Sequence, residues 1–175
     1  MMIETAERLA KADIAHCDFS FEIDSELVAP YRDPVEHARP VEPYRKAYEF
    51  DPEEFSDIGP DRMLAVAKDA GRLRGYILVS RSWNNYASID DFAVDRAFRG
   101  AGIGLRLMDR SVRWAREQGL PGVRLETQSN NVPACRFYKR YGFVLGGYDE
   151  YHYATIPGLR NEVALFWYLM LAKDS

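Results

Sequence analysis

The chain has 175 residues, 47% of them hydrophobic, which is enough for one substantial core and leaves little room for a second, so a single domain is expected. A net charge of -4 argues against a general nucleic-acid binder. The two cysteines lack Cys-x-x-Cys spacing, the three histidines are scattered, and no apolar run reaches membrane-spanning length, which argues against a zinc site or a membrane span.

In chain order, residues 5–15 carry helical apolar spacing and residues 17–23 alternate as a strand does. Prolines at 30, 34, 40, 43, 52 and 60 punctuate the segment 30–60, which reads as a substrate-side loop or broken helical segment. Residues 62–68 and 72–83 form strands joined by a hairpin at Asp69-Ala70-Gly71, and a turn at Asn84-Asn85 leads into a strand over 87–94. A helical pattern over 104–117 follows, then a strand over 123–128, a second helix after Asn131, and final strands over 143–146 and 161–171. Phe166, Trp167 and Tyr168 are expected to pack into the chain's own sheet. This order predicts an α+β fold, a sheet of mixed direction with helices on both faces. The absence of a charged-plus-apolar leader points to a reducing cytoplasm.

Arg99-Gly100-Ala101-Gly102-Ile103-Gly104 joins the strand over 87–94 to the helix after it. Glycines remove the Cβ atoms that would block a phosphate, and the first N–H groups of a helix have no intrahelical acceptor. The loop therefore favours an anionic cofactor. No Gly-Lys-Ser or Gly-Lys-Thr ending is present, which argues against a nucleoside triphosphate, and Leu105 and Leu107 stand where a dinucleotide fingerprint needs glycine or alanine. The remaining pattern, Arg-x-x-Gly-x-Gly after a hydrophobic strand, resembles the coenzyme A loop of the GNAT superfamily of acetyl-CoA-dependent N-acetyltransferases. The resemblance implies a mostly antiparallel mixed sheet of six to seven strands and acetyl-CoA as cofactor, held by Phe92, Ala93 and Val94 and by Arg99 to Gly104. Arg96, Arg99 and Arg106 add local positive charge in an acidic chain.

Residues 131–143, Asn-Val-Pro-Ala-Cys-Arg-Phe-Tyr-Lys-Arg-Tyr-Gly-Phe, resemble a second segment of that superfamily, Asn-x-x-Ala-x-x-Phe-Tyr-x-x-x-Gly-Phe. Asn131, Ala134 and Tyr138 fall at i, i+3 and i+7 on one helical face, and the small alanine leaves room for a pantetheine arm. Asn131 serves equally as an N-cap, with Pro133 in the first turn. Tyr138 also reads as a packed core tyrosine, and Cys135 as a small buried filler. The superfamily resemblance implies that Asn131 and Tyr138 face the thioester, with Tyr138 giving a proton to the departing thiolate.

Acetylation of an amine needs proton removal, since an alkylammonium with a pKa of about 10.4 is neutral in only about one molecule in a few thousand at neutral pH. Asp90, Asp91 and Glu126 are the available carboxylates, with Asp91 and Glu126 favoured as catalytic. Successive strand residues face opposite sides, so one of Asp90 and Asp91 points at the amine unless a bulge intervenes. Backbone N–H groups at residues 92–94 are expected to polarise the thioester carbonyl.

Residues 89–94, 125–128 and 134–138, with 43–48 and 161–168 at the two ends, resemble the streptothricin acetyltransferases within the superfamily. Those enzymes acetylate the β-lysine arm of a cationic antibiotic and confer resistance. The resemblance implies a small cationic amine as partner, met by Tyr44, Asp90, Asp91, Glu126, Asp149, Tyr153 and Glu162. Asp90 stands where the subgroup often carries glutamate, 148–160 looks longer and divergent, and 28–38 has no clear counterpart. Another small amine, a protein lysine, or a non-catalytic acyl-CoA-binding module remain alternatives. No nucleic-acid or membrane partner is expected, and the chain is expected as a monomer or homodimer.

Overall fold

A computed structural model describes residues 1–31 and 37–172, which divide into two compact units. The first comprises Met1–Phe21, Ala47–Val123 and the chain end from Leu171; the second comprises Glu22–Lys46 and Arg124–Met170. The elements are β1 (Met2–Ala6), α1 (Lys11–Ile14), β2 (Phe21–Leu27), β3 (Ala38–Lys46), β4 (Arg62–Asp69) and β5 (Arg72–Arg81). After them come β6 (Ala87–Val94), α2 (Ile103–Glu117), β7 (Gly122–Gln128), α3 (Val132–Tyr141), β8 (Val144–Asp149) and β9 (Ala164–Met170). Seven strands form the main sheet: β1-β4-β5-β6 in the first unit, and β7-β9-β8 in the second apart from the first residues of β7. This is the α+β architecture expected.

In the first unit β1, β4, β5 and β6 run antiparallel, each to its neighbour. Asp69 pairs with Arg72, so Ala70 and Gly71 form a two-residue loop, and their φ angles of 48° and 77° give the turn that matches strand twist. Gly75 is there for a close approach. A Cβ on it would lie 2.8 Å from the Ala93 carbonyl oxygen and 3.3 Å from Leu107 of α2. The helix α2 packs on β4, β5 and β6 through fully buried Leu107 and Met108, each burial stabilising by roughly 1.5–3 kcal/mol.

In the second unit β8 and β9 pair antiparallel, and Trp167 is 1% exposed, with its indole N–H donating to Thr127 Oγ1 at 3.0 Å. Phe166, Trp167 and Tyr168 thus lie in a strand that pairs within the chain, as expected. Cys135 is fully buried, as expected of a filler, and burial pushes its thiol up to about 12.

Three expectations need correction. Residues 5–15 are not one helix: β1 takes 2–6 because Glu4 and Thr5 pair with Val66 and Ala65, and only the four residues of α1 are helical. The strand expected over 17–23 starts at Phe21, because Asp18 Oδ1 accepts the Ser20 N–H at 2.9 Å and holds 18–20 in a turn. Within 30–60, of which 32–36 lie outside the described residues, a nine-residue strand, β3, stands where a loop or broken helix was expected. It pairs with β2 in a two-stranded ribbon, where the N–H groups missing at Pro40 and Pro43 cost little. Among the described residues no helix is long and apolar enough to cross a membrane, and no group of His, Cys, Asp and Glu could hold a metal ion.

Candidate active site

The residues expected to act fall into two sets, one in each unit. In the first unit β6 leads through a short 3-10 turn, Arg96–Phe98, into the glycine loop. Gly100 and Gly102 have φ of 81° and 79°, a conformation that costs a residue with a Cβ about 1–2 kcal/mol. A Cβ on either would meet no heavy atom within 4 Å, so the face of the loop is open. Gly102 is the N-cap of α2, Ile103 is buried, and the first N–H groups of the helix, from Ile103 and Gly104 onward, lack intrahelical acceptors. An open glycine surface ending on a helix N-terminus suits a diphosphate.

Arg99 holds this loop rather than standing over it. Its Nε donates to the Val94 carbonyl at 3.0 Å and its Nη2 to the Phe19 carbonyl at 3.1 Å. Arg106 Nη1 donates to the Met1 carbonyl at 3.5 Å. Two of the three expected arginines, Arg99 and Arg106, thus donate to backbone carbonyls.

Along β6 the register passes from Leu78↔Asp91 to Val79↔Ile89, so Asp90 is the extra residue of a β-bulge. The bulge breaks the strict alternation at the two aspartates. Asp90 is exposed; Asp91 is half-buried and accepts from Tyr76 Oη at 3.1 Å and from the Phe92 N–H. Burial raises the Asp91 carboxyl above the usual range, and the two donors oppose that rise. The Asp95 N–H donates to the Arg74 carbonyl at 2.7 Å, so by ladder alternation the Ala93 N–H faces β5 and the Val94 N–H faces away from it. Of the three amides expected to polarise a carbonyl, those of Phe92 and Val94 face away from β5, and that of Phe92 is taken by the Asp91 carboxylate.

In the second unit Asn131 is the N-cap of α3, its Oδ1 accepting the Ala134 N–H at 3.3 Å. At the other end Gly142 adopts φ 117°, and the Tyr138 carbonyl accepts the Gly142 and Phe143 N–H groups at 3.2 and 3.0 Å. The Gly-Phe that ends the motif is thus a helix stop. Tyr138 is nearly buried, its ring 5.5 Å from Phe137, 5.7 Å from Phe143 and 6.4 Å from Trp167.

The acidic residues of this unit are differently committed. Glu162 Oε1 and Oε2 accept from Lys46 Nζ at 2.8 and 2.9 Å, with side chains 12% and 14% exposed, so its charge is neutralised within the chain. Gln128 Oε1 also accepts from Lys46, at 2.6 Å, while Asn130 Nδ2 donates to Glu162 Oε1 at 2.9 Å and to the Tyr44 hydroxyl at 3.0 Å. Glu162, expected to meet a cationic substrate, holds Lys46 at the end of β3, and Tyr44 belongs to the same network. Asp149 Oδ1 accepts the Tyr151 N–H at 2.8 Å in a turn, and Tyr153 is buried. Glu126 is partly buried, which raises its carboxyl, and His152 Nε2 stands 3.4 Å from its Oε2. His152, Lys46, Gln128, Asn130 and Tyr76 were not singled out from sequence. Lys46 and Gln128 lay in the marked stretches 43–48 and 125–128, and His152 in the stretch 148–160.

The Acetyltransferase (GNAT) family model matches residues 22–143 of the chain. Streptothricin acetyltransferase of Escherichia coli is 42% identical over 130 residues, covering 74% of this chain and 72% of that protein. Streptothricin acetyltransferase A of Bacillus subtilis is 36% identical over 127 residues, covering 72% and 73%. Among solved structures, a protein of Bacillus anthracis assigned as a streptothricin acetyltransferase, in complex with acetyl coenzyme A, superposes with a TM-score of 0.83 at 34% identity, covering 97% of this chain and 99% of that one.

Proposed function

The chain belongs to the GNAT acetyltransferase family, and from that premise we propose that it acetylates a primary amine on the β-lysine arm of a streptothricin-type antibiotic, which would confer resistance. It is an acetyl-CoA-dependent N-acetyltransferase. The observation that carries the substrate is the 42% identity to a streptothricin acetyltransferase over nearly three quarters of the chain. The open face of Gly100 and Gly102 on the N-terminus of α2 suits the cofactor's diphosphate.

Acetyl-CoA supplies an acetyl group activated as a thioester. Backbone amides from Gly100 to Gly104 bind the diphosphate, and Asn131 and Ala134 line the pantetheine arm. The Val94 N–H donates to the carbonyl oxygen as negative charge develops there. Asp91 and Glu126 are the carboxylates that take the ammonium proton, both with affinity for protons raised by burial. The Tyr138 hydroxyl would give a proton to the departing sulfur, and one of the two N–H protons lost by the ammonium would restore it. With Glu162 neutralised by Lys46, the charge that attracts a polycation rests on Asp90, Asp91, Glu126 and Asp149.

A coupled thiol-release assay tests the substrate class with streptothricin, polyamines, aminoglycosides and lysine peptides as acceptors. Turnover confined to streptothricin is expected. Turnover with polyamines or lysine peptides and none with streptothricin would overturn the substrate and leave the family intact.

A further inference from the structure

We infer that His152 carries the proton of the reaction out to solvent from Glu126, acting as a relay that nothing in the sequence pattern marks. The inference rests on the amine acetylation proposed above. In that reaction an ammonium loses two N–H protons on becoming an amide; one ends on the thiol and one must leave the protein. A carboxylate that takes the second proton must pass it on before the next turnover.

Asp91 accepts hydrogen bonds from Tyr76 Oη and the Phe92 N–H. Glu126 has a proton acceptor beside it. The His152 Nε2 lies 3.4 Å from Glu126 Oε2, and the imidazole is fixed edge-on to Tyr153, centroids 4.8 Å apart at 89°, and to Phe166, 5.9 Å apart at 83°. The His152 side chain is 42% exposed, so the ring can give its proton directly to water. Arg124, on the same strand as Glu126, favours the ionised carboxylate, as does His152 itself. His152 lies in the turns that follow β8.

The step balances. An N–H bond of the ammonium breaks and an O–H bond forms on Glu126; that proton passes to His152 Nε2, and the imidazolium loses its Nδ1 proton to water. The imidazole then exchanges tautomers through solvent. No oxidant or further reactant enters.

The test compares wild type with His152→Ala and His152→Asn in the thiol-release assay, with and without added imidazole, and with acetyl-CoA affinity measured by calorimetry. Expected are a kcat loss of about tenfold or more, consistent with loss of an acid–base group, unchanged acetyl-CoA affinity, and recovery of His152→Ala by imidazole. A series of substituted imidazoles should rescue in proportion to their basicity. A kcat within twofold of wild type, or a loss that no imidazole restores, overturns the relay. An inactive wild type overturns the acetylation reading instead, so the two failures are distinct.

Discussion

Tyr76 Oη donates to Asp91 Oδ2 at 3.1 Å between paired strands β5 and β6, one residue beyond the bulge at Asp90. Tyr76 is itself locked edge-on against Phe19 and Phe55, so the carboxylate is held by a rigid donor. Burial pushes the Asp91 carboxyl up, and the Tyr76 bond pulls it part of the way back.

Removing that donor should move the carboxyl further up. For Tyr76→Phe, the acid limb of the pH profile of kcat/KM is expected to shift to higher pH than in wild type, with a stability loss of about 1 kcal/mol. A pH–rate series and urea denaturation check the two parts.

Asp91 also makes a prediction whose sign runs against intuition. Its folded carboxyl binds a proton more tightly than the unfolded one, so its contribution to stability falls as pH rises from the ordinary carboxylate range through the raised folded value. Asp91→Asn removes that fall. The variant should be at least as stable as wild type at neutral pH while kcat/KM for the cationic amine drops about tenfold or more, as expected when a charge-assisted contact is lost. Thermal melts at acid and neutral pH, beside steady-state kinetics, measure this.

The Lys46–Glu162 pair should be costly to break from one side. With both side chains largely buried, Glu162→Ala leaves an ammonium without its carboxylate, and a loss of about 3–5 kcal/mol is expected. Adding Lys46→Met should recover a good part of it. Denaturant unfolding of the two single variants and the double variant gives the coupling.

Gly75 and Gly102 should respond differently to alanine. At Gly102 the added Cβ meets open space and the cost is the left-handed backbone, about 1–2 kcal/mol, together with weaker acetyl-CoA binding. At Gly75 the Cβ collides with the Ala93 carbonyl, and overpacking of about 1–3 kcal/mol is expected with the ladder of β5 and β6 disturbed. Calorimetric titration and melting curves distinguish them.

Tyr138→Phe should keep the ring packing against Phe143 and Trp167, hence the fold and cofactor affinity, and lower turnover by about a hundredfold if the hydroxyl protonates the thiolate. Unchanged thiol release would remove Tyr138 from the chemistry.

What could be read from the sequence was what a few adjacent residues encode. The two-residue hairpin at Ala70-Gly71, the left-handed glycines before α2, and the Asn131 and Gly142 caps of α3 each depend on φ angles and hydrogen bonds closed within a few positions. Residues 5–15 misled because a short apolar period carries no information on β4, the strand that claims Glu4 and Thr5. β3 was hidden by prolines that its two-stranded ribbon tolerates. In the site, Glu162 was legible as a carboxylate and illegible as a neutralised one, since its partner Lys46 lies 116 residues away. His152 meets Glu126 only because the turns after β8 bring it back, and no local spacing announces that.

The most direct test of the account is to incubate the wild-type protein with acetyl-CoA and streptothricin and locate the acetyl group on the antibiotic by tandem mass spectrometry. Acetylation of an amino group on the β-lysine arm, with one thiol released per acetylated product, is the predicted result. Unmodified streptothricin recovered from a protein that binds acetyl-CoA would contradict it.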